Sequence, residues 1–286
     1  MRAVQSAASG AALQDGERGY APPGMRMPGT GVLNARRGDL PEAEPVEEYR
    51  LRLIAVPLTL GVAALFSRSQ MGQALQRLFF GMPLHELGHA LTALALGFLA
   101  FPLPWRTAMG DGRSPMLVGL LLGAAGALVV LGRRAERTGW VLGGAALGGV
   151  VLLGLLVAAR DARALIAFAG DAGALVLGTL LMATVFTAPS SRFRQGWLRW
   201  GLLVIGAAAY ADVASSWWAA RRDPGEIPFG QMEGVGLSDA SALVQTYGWS
   251  ERALVGRYLW VAGLCLLALG ALWVVGALRP LLRSRG

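Results

Sequence analysis

Lysine is absent from this chain of 286 residues, histidine occurs only twice and cysteine once. With Cys265 alone, and set in an apolar run, neither an intrachain disulfide nor a cysteine-based zinc cluster can form. The sequence therefore does not reveal its redox compartment. All 26 basic residues are arginines, and they give a formal charge of +8. They fall in short clusters between apolar runs, where they anchor helix ends at lipid headgroups, so the positive charge is not a nucleic-acid signature. Two histidines in a single motif cannot supply the ligands of a di-iron site or an opposed pair for haem. The first 50 residues lack the apolar segment of a secretory signal. They mix Gly, Pro, Arg and acidic residues at near-neutral charge and read as a disordered tail, residues 1–50.

What is abundant is apolar: 54% of the residues are hydrophobic. With about 20 residues per crossing as the yardstick, apolar runs fall near 51–67, 74–103, 116–132, 138–159, 164–187, 196–216 and 257–278. The predicted fold class is an all-α polytopic membrane protein of six to seven transmembrane helices, about seven by this yardstick, with residues 51–286 as its helical domain. The first run is weakest, because only Leu53 to Phe66 is free of charge. The second is overlong and contains Pro83, which removes a backbone hydrogen bond and kinks a helix. Residues 218–256 form the one long polar connection, with Ser238 or Asp239 as candidate N-caps of a short helix and otherwise the character of a solvated loop. Similar arginine counts on the two sides leave the orientation open. The expected location is the plasma membrane of a bacterium, with the lipid bilayer as constant partner.

Both histidines lie in the pentapeptide His85-Glu86-Leu87-Gly88-His89. Residues four apart share a helix face, so the two imidazoles can meet one metal ion with Glu86 beside them. Zinc accepts two imidazoles and a third protein ligand, and lowers the pKa of a water in its fourth position towards about 7. Glu86 is then the candidate catalytic base. Between Leu78 and Pro102 it is the only formally charged residue. An ionisable group deep in a bilayer costs on the order of 3 kcal/mol or more, which a divalent cation offsets and ordinary helix packing does not.

Without a third histidine, the remaining ligand must be a carboxylate or Cys265. Asp171 stands out, since it interrupts an apolar run between Gly170 and Gly173. The runs holding the motif and Asp171 are separated by two crossings, so they run antiparallel and bring these groups to similar depth. Asp161 and Asp212 sit at run ends. Glu233 and Asp239 belong to the polar connection and reach the metal only if that connection folds inward.

The stretch HELGHALTALALG, residues 85–97, followed by FPLPW, residues 101–105, resembles the site-2 protease family of intramembrane zinc metalloproteases. The likeness covers roughly residues 74–105 and the surroundings of Asp171, where Asp171-Ala172-Gly173 lacks the family's immediate Asp-Gly pair and its upstream Asn and Pro. It implies a zinc-dependent endopeptidase with His85, His89 and Asp171 as metal ligands, Glu86 as base, and a membrane protein or peptide as substrate. The residues alone reach hydrolysis; the peptide comes from the resemblance. The alternative is a non-catalytic membrane protein that binds or transports metal, or an inactive scaffold-like relative.

Overall fold

Pro83 illustrates how the chain builds its site, because the helix around it is broken and re-formed within a few residues. The computed structural model describes residues 46–187, 191–194, 196–232 and 236–283. Most of the expected tail, and Glu233, lie outside the described residues. Helix α1, Val46–Phe66, is followed by the short α2, Gln70–Gln76, capped by the Ser69 side chain. A single π-helical turn, Arg77–Gly81, then leads into α3, Met82–Ala95, which carries the histidine motif. Proline has no N–H to donate backwards, and the wider turn before it accommodates the lost bond.

The expected helical run over 74–103 does not persist to its end. Gly97 at φ +85° closes α3, and the chain continues as an antiparallel hairpin of β1, Phe98–Leu103, and β2, Arg106–Arg113. Phe98 and Ala100 point inward and alternate with exposed Leu99 and Phe101, the period-two pattern of a half-buried strand. Arg113 secures the far end of β2. Its guanidinium donates to the carbonyl oxygens of Leu96, Gly154, Leu155 and Val157, satisfying the last turns of two helices at once.

Four long helices follow: α4, Pro115–Arg134; α5, Thr138–Leu156; α6, Ala159–Ala183; and α7, Leu198–Arg222. A small antiparallel ribbon, β3, Gln231–Met232, and β4, Gly236–Leu237, leads to the single-turn α8, Asp239–Ser241, and then to α9, Glu251–Arg283. Among the described residues five helices are long and apolar enough to cross a membrane, namely α4, α5, α6, α7 and α9. Leu53–Phe66 is apolar but shorter. The protein is thus a mainly helical membrane protein. Leu142, Leu153, Leu156 and Leu120 are exposed on α4 and α5, which suits a lipid-facing hairpin, whereas half of α6 and of α7 is buried.

The main core lies between α1, α6, α7 and α9, around Leu175, Met182, Leu203, Trp217, Leu254 and Tyr258. A second, smaller core joins α3, β1 and α6 through Ala90, Ala93, Phe98, Ala162 and Ile166. Between them α3 crosses α6 at very close range. A Cβ on Gly173 would lie 2.5 Å from the Cα of Gly88, so only paired glycines permit this approach.

Candidate functional site

The crossing of α3 over α6 determines what the histidines touch. His85 Nδ1 lies 2.8 Å from Asp171 Oδ1, and His89 Nδ1 lies 2.6 Å from the Ile166 carbonyl oxygen. Rising numbers on α3 thus meet falling numbers on α6, the antiparallel relation expected from the two intervening crossings. A carbonyl can only accept, so His89 carries its proton on Nδ1; the Asp171 carboxylate imposes the same tautomer on His85. With both rings neutral, each Nε2 is then left as a lone pair.

Those lone pairs face each other at 3.0 Å. Asp239 Oδ2 sits 3.0 Å from each of them. With both rings neutral and Asp239 ionised, these three atoms form a near-equilateral triangle of acceptors, an arrangement that a cation stabilises and that neutral packing does not. Around a tetrahedral zinc with bonds of about 2.0–2.2 Å, ligand atoms stand roughly 3.3–3.6 Å apart, so a few tenths of an ångström of expansion makes room for the ion. His85, His89 and Asp239 are also the described group of histidine, cysteine and acidic residues whose ligand atoms converge closely enough for one metal.

Asp171, singled out from the sequence, is therefore placed behind His85 rather than in the triangle. Its Oδ1 holds Nδ1 of that ring, its Oδ2 accepts from Trp217 Nε1 at 2.8 Å, and the Arg77 guanidinium stands 3.6 Å away. Arg77 also lies 3.5 Å from Asp212, which is fully buried in α7. The one arginine sits between two buried carboxylates. Trp217 in turn stacks on Tyr258, with ring centroids 4.1 Å apart, and Tyr258 stacks on Phe168. This aromatic column joins α6, α7 and α9 behind Asp171 and holds its carboxylate in place.

Asp239 arrives from the polar connection, which folds inward. Ser238 caps α8 through its hydroxyl, its N–H donates to the Gly230 carbonyl, and its Oγ donates to Pro228 O. Ala240, Ser241 and Leu243 are buried beneath it. The sequence signal for this is the apolar stretch Ala240–Val244 inside an otherwise polar segment, directly after a good N-cap.

Glu86 is buried beside the triangle. The Thr107 hydroxyl on β2 lies 2.8 Å from Glu86 Oε2 and 2.9 Å from its main-chain oxygen. Gly170 provides the floor. A Cβ there would stand 2.6 Å from His89 Nε2 and 2.7 Å from His85 Nε2, so the imidazoles rest directly on the α6 backbone. A cavity of about 660 Å³ opens over these groups, walled by Thr107 and Met109 of β2, by Leu237 of the ribbon and by Ser238 at the cap of α8. Cys265 is on α9 and takes no part in the converging group.

Compared with known proteins, the chain matches no family model, no curated protein and no solved structure.

Proposed function

We propose that this protein is an intramembrane zinc metalloprotease of site-2 protease type, with zinc held by His85, His89 and Asp239 and with Glu86 as general base. The observation that supports it most is the triangle of three acceptor atoms, adjacent on the same helix to a buried carboxylate that faces the same cavity. When bound, zinc supplies a water acidified to a pKa of about 7 and polarises a substrate carbonyl. Glu86 takes the proton of the attacking water and delivers it to the departing amine. Thr107 fixes one carboxylate oxygen of Glu86 and leaves the other for that proton. Asp171 keeps the proton of His85 on Nδ1, so that Nε2 stays available to the metal. The ribbon, the hairpin and α3 border the cavity over the reacting bond.

A peptide substrate rests on the resemblance of residues 85–105, and a membrane-embedded one on the helices around the site. Such a substrate must unwind locally, because a hydrogen-bonded helix conceals its carbonyls. The reading includes α1 and the bent α2–α3 segment as additional membrane-embedded elements, giving about seven, in a bacterial plasma membrane. The test uses the full chain purified in detergent, assayed for zinc and for cleavage of a quenched-fluorescent library of apolar peptides. About one zinc per chain with cleavage that Glu86→Gln abolishes is the expected result. Zinc without cleavage, together with unchanged biological activity of Glu86→Gln, selects the metal-binding or transport alternative. No zinc in the purified chain sinks both.

A further inference from the structure

A second cavity of about 660 Å³ lies away from the metal centre, between the end of α7 and the start of α9. Its α9 wall is Arg252, Val255, Gly256, Leu259 and Trp260, the spacing of one continuous helix face. From Arg252 to Trp260 the groove runs roughly 12 Å along the helix. Ala220, Pro224 and Ile227 form the opposite wall, with Arg221 and Glu251 at the mouth. Nothing lies within 4 Å of a Cβ placed on Gly256, so the middle of this face is open space.

The mouth has the chemistry of a headgroup layer. Arg221 belongs to the last turn of one membrane-length helix and Arg252 to the first turn of another. Neither guanidinium has a carboxylate partner among the described residues; Arg221 lies over the Trp218 ring at 5.1 Å, with its donors free. Trp260, 71% exposed, stands further along the apolar part. Two arginines against one glutamate leave a net positive rim, which complements a headgroup bearing one net negative charge.

We infer that this groove binds an anionic glycerophospholipid, its phosphate between Arg221 and Arg252 and one acyl chain along Val255, Gly256 and Leu259. Tyr258, on the opposite face of α9, stacks behind Asp171, so the lipid and the metal centre use different sides of one helix. The assignment is independent of the protease reading, because it needs only the membrane helices.

The test is native mass spectrometry of the full detergent-purified chain titrated separately with phosphatidylglycerol and phosphatidylcholine. The wild-type chain should retain one phosphatidylglycerol in preference to phosphatidylcholine. Arg221→Gln or Arg252→Gln should each weaken that retention about fivefold, and the double change should bring it to the phosphatidylcholine level. Gly256→Phe, which fills the groove without altering charge, should remove the preference while zinc content and thermal midpoint stay as in the wild type. Equal retention of the two lipids by the wild type, or a preference that survives either the double arginine change or Gly256→Phe, overturns the assignment.

Discussion

Buried Asp171 and part-exposed Asp239 both lie within 3.0 Å of His85, yet they address opposite nitrogens of its ring and so differ in what they do. Removing Asp239 takes away one corner of the triangle. Asp239→Ala, like His85→Ala and His89→Ala, should leave the purified chain essentially without zinc. Asp171→Asn keeps an oxygen for His85 but turns an amide donor towards the Trp217 N–H, so one donor is left unmatched. Zinc affinity should fall by about 10- to 100-fold rather than vanish, the usual effect of losing a partner behind a ligand. Competition against a zinc chelator measures both changes. A larger loss in Asp171→Asn than in Asp239→Ala would return Asp171 to the role read from sequence. Glu86→Gln should retain zinc and lose cleavage by about 10²-fold or more.

Two helices in near-backbone contact form the platform, and its tolerance for added atoms is small. At Gly170 even a methyl group overlaps both imidazoles, so Gly170→Ala should displace them, lower zinc occupancy and cost about 1–3 kcal/mol of stability. Thermal unfolding with parallel metal analysis reads both effects, and an unchanged variant would mean that α3 and α6 are further apart than described. At Gly119, where a Cβ meets nothing within 4 Å, the same substitution should be neutral and serves as the control. The hairpin after α3 depends on Arg113, which joins β2 to the carbonyls ending α3 and α5. Arg113→Leu leaves those oxygens unpaired, at about 1–3 kcal/mol for a buried acceptor.

Across the whole molecule, a single cysteine makes topology directly testable. In a Cys265→Ser background, cysteines introduced at Gly112 and at Glu136 flank α4, and Asp161 lies beyond α5. Labelling by a membrane-impermeant maleimide should place positions 112 and 161 on one side and 136 on the other, because α4 and α5 each have the length and apolarity of one crossing. Equal labelling of all three from one side would deny that these helices traverse the bilayer. The same two crossings make α3 and α6 antiparallel, and thereby bring residues 77 and 86 positions apart in the chain to one site.

Composition and spacing by themselves determined that the chain is a helical membrane protein and that His85, Glu86 and His89 share a helix face, because hydrophobic run length and the 3.6-residue period act locally. They also singled out Asp171 as an acid interrupting an apolar run, and the structure buries it against His85. Four features needed the tertiary structure: the break of the second run into helix and hairpin, the burial of Asp212, the position of Asp171 behind His85, and the entry of Asp239 into the triangle. Each depends on which backbones can approach one another. Gly88, Gly170 and Gly173 set the depth of α3 on α6 and the rotation of the imidazoles. The polar connection then folds onto that surface, since Ala240 and Leu243 find burial there and Asp239 finds two imidazoles. A ligand delivered by a distant loop leaves no periodic trace, because its partner lies across space rather than along the chain.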